Sequence, residues 1–162
     1  MGVLADRRSP EGQPAPIPHV QIADSVARGA VVRAIRGAAA RLNRPACQRV
    51  LADFQDRSGK TLLAALEAST GNPGAYLLER VWFADGSDAP QCLTDQATAA
   101  FTAAGHKVVW VCAARFADRF AREMTAAEVL IIHEVLHTLG LPEDPPSSGT
   151  ITRQVVKRCG GN

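Results

Sequence analysis

The sequence predicts a single domain of the α+β class, because helical and strand-like segments both occur along it. Residues 24–42 and 125–138 carry small and aliphatic side chains at helical spacing. Residues 77–83 and 106–112 are instead rich in aliphatic and aromatic side chains typical of strands. With 162 residues, of which 46% are hydrophobic and 21% charged, the chain can form one core and is not wholly disordered.

The N-terminal segment differs from the rest of the chain. In residues 1–20, prolines alternate with small and polar side chains, and no helical or strand period occurs. We therefore expect a flexible proline-rich tail over residues 1–20 and one domain over residues 21–162.

The first helix is predicted to begin at Asp24 or Ser25, either of which can cap it, and to end near Leu42. Its apolar side includes Val26 and several alanines. The opposite side carries arginines, which we interpret as a solvated face.

The middle of the chain alternates short elements with turn signals. Residues 47–54 fit either a helix or a strand, residues 61–68 predict a short helix, and the sequence Gly-Asn-Pro-Gly at 71–74 predicts a break. Strands are predicted at 77–83 and 106–112, of which the second has the stronger pattern.

An apolar helix follows in the last third of the chain. Thr125 and Glu128 have the spacing of a capping box, which predicts its start. Gly140 and Pro142 predict its end. A helix of about 14 residues fits between these signals, which is an ordinary length. A further helix is predicted from about Ser148 to Arg158, with Val156 on its apolar side.

The apolar helix carries three residues with the spacing of a metal-hydrolase site. His133 and His137 are four residues apart, so that both imidazoles lie on one helix face, where they can share a zinc ion. Glu134 lies about 100° around the helix, where it can reach a metal-bound water instead of the metal. This is the HExxH arrangement, in which the glutamate acts as general base.

A catalytic zinc ion usually has three protein ligands. After His137 the only acidic residues are Glu143 and Asp144, and no histidine follows. A chain that turns at Gly140 could return Glu143 to the metal, so we predict Glu143 as the third ligand. Asp144 is the alternative, and His106 is a possible upstream ligand.

These residues resemble the zincin superfamily of zinc metallopeptidases. The resemblance covers the pattern His133-Glu134-x-x-His137-x-x-Gly140-x-x-Glu143, about 20 residues with its surroundings. Its spacing is similar to the long metzincin motif, in which a glycine turns the chain before the third ligand. Glutamate stands here where that motif has histidine or aspartate.

The methionine turn of metzincins also has no counterpart, since the only methionines are Met1 and Met124. The chain is therefore zincin-like and not a metzincin proper. The resemblance implies a small mixed sheet packed on the HExxH helix, with an edge strand that pairs with an extended substrate. The strand at 106–112 is the candidate for that edge.

The resemblance implies a zinc-dependent metallopeptidase acting on a peptide or protein substrate. Two alternatives stay open: a non-catalytic zincin-like domain that binds metal or a partner, and a zinc hydrolase of a non-peptide amide. For stabilising the oxyanion, the sequence offers Tyr76, His106, Arg153 and Lys157 without favouring any of them.

The four cysteines, Cys47, Cys92, Cys112 and Cys159, fit either buried thiols or two disulfides in one of three pairings. Their spacing matches no zinc motif. If a signal peptide has been removed ahead of Met1, a secreted or periplasmic location is expected, and if the sequence is complete, a cytoplasmic one.

Other partners are limited by composition. A formal net charge of +2 gives no case for nucleic-acid binding. No segment approaches the roughly 18 apolar residues of a membrane-spanning helix. We therefore expect no nucleic-acid partner, no membrane and a monomeric state.

Overall fold

The computed structural model describes residues 16–161, in which helices outnumber strands. The strands are β1 (His19–Gln21), β2 (Trp82–Asp85), β3 (Ala100–Phe101) and β4 (Val108–Val111). The helices are α1 (Ser25–Leu42), α2 (Pro45–Gln48), α3 (Val50–Asp53), α4 (Leu62–Glu67), α5 (Pro73–Arg80), α6 (Pro90–Thr94), α7 (Ala113–Arg122), α8 (Met124–Thr138) and α9 (Ser148–Cys159). The α+β prediction is confirmed.

Within residues 16–161, the strands form one mixed sheet in the order β1-β2-β4-β3. β1, β2 and β4 are parallel, and β3 runs antiparallel to β4. Phe83 and Val109 are buried in the core, whereas Trp82 and Trp110, on the other face of the sheet, are 43% and 41% exposed. The helices therefore cover one face of the sheet.

Helix α1 forms as predicted. The Asp24 side chain accepts a hydrogen bond from the backbone N–H of Ala27 at 2.8 Å, which is an N-cap. Val31 and Ala34 are buried as expected. Val26 was also expected on the apolar side, but it is 72% exposed, and Ala27 is buried in its place.

Helix α8 is the central element of the helical layer. It contacts α1, α7 and α9 on its sides and β3 and β4 below, and every residue from Ile131 to Thr138 is buried. The predicted capping box is wrong. The helix begins at Met124, and the side chains of Thr125 and Glu128 both bond to Arg41 of α1.

The predicted strand at 77–83 is also wrong over most of its length. Asn72 accepts a hydrogen bond from the N–H of Ala75, and Pro73 occupies the first helical position, so the predicted break is the start of α5. Leu77 is a buried residue of helix α5, and strand β2 begins only at Trp82.

The strand predicted at 106–112 exists as β4, but it lies inside the sheet between β2 and β3. It is therefore not the edge strand expected from the zincin resemblance. β3 forms an edge beside α8, in a region whose secondary structure is unclear from the sequence.

The predicted tail falls mainly on residues 1–15, which lie outside the described residues. Of its last positions, His19 and Val20 belong to β1, paired with Trp82 and Phe83. The domain therefore includes residues before position 21.

Two disulfides join the four cysteines: Cys47 with Cys159 and Cys92 with Cys112. The first links α2 to the end of α9, and the second links α6 to the start of α7. Disulfides persist in oxidising compartments, so the pairing indicates an extracellular-type environment. Across residues 16–161, no helix has the length and apolarity needed to cross a membrane.

Candidate metal centre

The two motif histidines face each other on α8. Their Nε2 atoms lie 3.2 Å apart, and each residue is only 4% exposed. The spacing of four residues places the rings one helical turn apart, as the sequence predicts. Both side chains are therefore directed to one point at the surface of the helix.

A glycine turn ends α8 directly after His137. Gly140 has a φ of +115°, its N–H donates to the carbonyl of His137, and the N–H of Leu141 donates to the carbonyl of Leu136. This pair of bonds is a Schellman motif, which glycine allows because it has no Cβ. The turn directs the following residues back along the histidine face.

Glu143 completes the group that this turn creates. The donor atoms of His133, His137 and Glu143 all lie within 4.8 Å of one another, with Glu143 exposed and both histidines buried. Of the two other candidates, Asp144 and His106 are both exposed, and neither belongs to the group. The three residues can hold a metal ion.

The donor set and its spacing fit a tetrahedral zinc ion. Two nitrogens at about 2.05 Å from a tetrahedral zinc would lie about 3.3 Å apart, close to the 3.2 Å between the Nε2 atoms. Two imidazoles and a carboxylate are ligands that zinc accepts.

Glu134 is buried beside this group. Among the described side chains, its Oε2 atom is buried without a hydrogen-bond partner. Burial, and secondarily the negative charge of Glu143, raise the pKa of Glu134 to about 8. Burial, and secondarily His137, lower the pKa of His133 to about 4. A divalent cation held by this group would oppose the effect of burial and favour the ionised form of Glu134.

The outer nitrogens of the two histidines have different partners. Nδ1 of His137 lies 2.7 Å from the carbonyl oxygen of Leu141, and Nδ1 of His133 lies 2.9 Å from Oγ1 of Thr152 on α9. Such contacts orient ligand histidines. The sequence indicated neither partner, since the first depends on the turn and the second on how a separate helix packs.

None of the residues considered for the oxyanion lines this site. Tyr76 is fully buried, and its hydroxyl lies 2.9 Å from Oγ1 of Thr138. Arg153 bonds to Thr150, and His106 and Lys157 are exposed. The cavities beside the histidines do not include any of them.

Two adjoining cavities open at the histidines. One of about 120 Å³ lies against the edge strand, with Ala100 and Phe101 on one side and Glu143 on the other. The next, of about 240 Å³, shares His133 and Glu134 with it and extends between β3 and α9. The site therefore lies in a groove bounded by β3, which is an edge strand of the sheet within residues 16–161.

No protein-family model, curated protein or solved structure matches the chain. The resemblance to zincins is thus confined to the motif residues.

Proposed function

We propose that the protein is a zinc-dependent metallopeptidase. His133, His137 and Glu143 hold the zinc ion, and Glu134 is the general base. The observation that carries this proposal is the buried Glu134 carboxyl group beside three converging candidate ligands, with its Oε2 atom unpartnered within residues 16–161. A buried carboxyl group without a partner is costly to the fold, which favours a functional role for it.

The chemistry divides between the metal and the protein. A zinc ion held by His133, His137 and Glu143 would supply a Lewis acid, which lowers the pKa of water to near 7. Glu134 accepts a proton as the water oxygen bonds to the substrate carbonyl carbon. It then delivers this proton to the amide nitrogen as the C–N bond breaks. The products are a carboxylic acid and an amine, so atoms and charge balance.

The position of β3 at the edge of the sheet, as far as the structure describes the chain, supports a peptide substrate. β3 ends the sheet beside α8, and its residues Ala100 and Phe101 line the cavity that contains the histidines. An extended peptide can add to such an edge through main-chain hydrogen bonds. A small non-peptide amide would not use this edge, which is why we place it second.

The test compares peptide hydrolysis and zinc content in the full chain and in Glu134→Gln and Glu134→Ala. Removing the general base should lower the rate about 10²- to 10⁴-fold, while zinc stays bound because its ligands are unchanged. Glu67→Gln is the control, since Glu67 is an exposed glutamate at the end of α4.

The products and rates separate the alternatives. Full activity in both Glu134 variants, with zinc intact, contradicts the mechanism. Zinc binding without hydrolysis of a diverse peptide mixture favours the non-catalytic domain, and hydrolysis of simple amides alone favours the non-peptide hydrolase.

A further inference from the structure

Hydrogen-bond donors in the two cavities beside the histidines are candidates for contact with the substrate. Hydrolysis of an amide places negative charge on the carbonyl oxygen, and a donor directed at that oxygen accelerates the reaction. The cavities include none of the residues that the sequence offers for the oxyanion, namely Tyr76, His106, Arg153 and Lys157. The donor is therefore to be found among the residues that do line them.

Four hydroxyl-bearing residues line the two cavities, and three of them already have a partner in the protein. The hydroxyl groups of Thr98 and Thr102 donate to protein oxygens at 2.9 and 2.6 Å. The hydroxyl of Thr152 lies 2.9 Å from Nδ1 of His133. The fourth residue is Ser148, whose hydroxyl makes no hydrogen bond within residues 16–161. It is therefore available to a substrate.

Ser148 lies close to the groups proposed to act in hydrolysis. It lines both cavities, as do His133 and Glu134. The smaller cavity also contains His137 and Glu143, so its walls include all three proposed metal ligands. Glu134 is only 5% exposed, and its Oε2 atom has no partner among the described residues. A carbonyl group that reacts beside Glu134 therefore occupies a cavity that Ser148 lines.

Ser148 is also the first residue of α9, so the N-terminus of a 12-residue helix lies at these cavities. The Ser147 hydroxyl caps this end by accepting from the N–H of Thr150 at 3.2 Å. As far as the structure describes the chain, neither the N–H of Ser148 nor that of Gly149 donates a hydrogen bond. Unpaired N–H groups and the helix dipole favour negative charge at such an end. The surroundings of the Ser148 hydroxyl therefore suit an oxygen that becomes negatively charged.

We propose that Ser148 is a catalytic residue whose hydroxyl donates a hydrogen bond to the carbonyl oxygen of the substrate as negative charge develops there. This inference rests on the proposed function. The serine keeps its proton and forms no covalent bond, so the bonds that form and break are those of water and the amide alone.

Arg119 on α7 is the alternative donor, because it lines the larger cavity together with His133 and Glu134. Its Nη2 atom donates to the carbonyl oxygen of Ala97 at 3.3 Å. Arg119 does not line the smaller cavity, which contains the three proposed metal ligands. Ser148 is therefore better placed than Arg119 to reach the reacting carbonyl.

The first test measures kcat and KM for a peptide substrate in the zinc-loaded chain and in Ser148→Ala. We expect kcat to fall about 10²-fold with little change in KM, because the hydrogen bond strengthens only as charge develops. Ser148→Thr should restore most of the activity. Ser148→Val, which has the shape of threonine without the hydroxyl, should behave as Ser148→Ala does. Thr150→Ala is the control, since Thr150 is exposed on the same helix and lines neither cavity.

Inhibitor binding supplies a readout without turnover. A phosphinic peptide has a tetrahedral, negatively charged group in place of the reacting amide, so it resembles the charged state that Ser148 would stabilise. Calorimetry should show that Ser148→Ala weakens its binding by about the factor by which kcat/KM falls. Zinc content and the midpoint of urea unfolding should stay unchanged, whereas a merely structural role for Ser148 would alter them.

The outcomes separate this inference from the proposed function. If Glu134→Gln loses activity but Ser148→Ala keeps it, this inference is wrong and the proposed function stands. Equal losses in Ser148→Thr and Ser148→Val, or a loss in Arg119→Gln without one in Ser148→Ala, would also overturn this inference alone. An unaltered chain that hydrolyses no peptide overturns both.

Discussion

The Nδ1 atom of His137 donates a hydrogen bond of 2.7 Å to the carbonyl of Leu141, four residues further along the chain. This contact exists because the chain reverses at Gly140. The same reversal brings Glu143 into the group with the two histidines. The turn at the end of α8 therefore orients one proposed metal ligand and brings a second one close to it.

Gly140→Ala should destabilise the protein and weaken metal binding. The residue has a φ of +115°, and an added Cβ would lie 3.2 Å from Cβ of Asp56. We expect a loss of about 1 to 2 kcal/mol in the free energy of unfolding, measured with urea. Gly29→Ala is the control, because Gly29 lies inside α1 with room for a methyl group. It should be neutral or stabilising, and equal effects of both changes would contradict the explanation.

Arg41→Met should be far more damaging than loss of an exposed arginine. Arg41 bonds to Glu128 at 3.2 Å, and both side chains are about nine-tenths buried. Its removal leaves a buried carboxylate without its cation, at a cost of about 3 to 5 kcal/mol. Arg122→Met breaks an exposed pair with Asp118 and should cost less than about 1 kcal/mol. Urea unfolding of both variants measures the difference, and similar losses would refute it.

The two disulfides should contribute unequally to stability. Cys47–Cys159 closes a separation of 112 residues and Cys92–Cys112 one of 20. Loop-closure entropy predicts losses of about 5 and about 3 kcal/mol respectively when each pair is replaced by alanines. Thermal and urea unfolding of the two double variants test this order. A larger loss in the free energy of unfolding on replacing Cys92 and Cys112 would contradict it.

The Asp53 carboxylate on α3 should make stability depend on pH. Hydrogen bonds from Arg158 lower the pKa of Asp53, against an opposing effect of burial, and Gln154 adds a further bond. A lowered folded-state pKa stabilises the protein above the unfolded value of about 3.9, and this contribution is lost as the pH falls through the folded pKa. Asp53→Asn should therefore be modestly less stable than the unaltered chain at pH 7, with the gap closing below about pH 4. A gap that is independent of pH would show that the charge is not responsible.

The sequence predicted best those features that depend on neighbouring residues. The Asp24 cap, the four-residue spacing of His133 and His137, and the stop at Gly140 all act within a few positions. The cap, the facing histidines and the helix end all occur in the structure at the predicted residues.

Features that depend on distant residues were mispredicted or missed. Thr125 and Glu128 have the spacing of a capping box, yet both side chains accept hydrogen bonds from Arg41 on another helix. The apolar run around Leu77 was predicted as a strand, but it belongs to α5, which the Asn72 cap begins and which packs against α1. Thr152 reaches His133 from a separate helix, a contact that no local pattern encodes.

The most direct test of the zinc site is to measure the zinc content of the full chain, purified without a chelator, together with X-ray absorption at the zinc edge. The account predicts one zinc per chain, two imidazole nitrogens at about 2.0–2.1 Å and at least one carboxylate oxygen. His137→Gln should lose the metal and His106→Gln should keep it. A chain that binds no zinc, or one whose zinc remains in His137→Gln, would contradict the account.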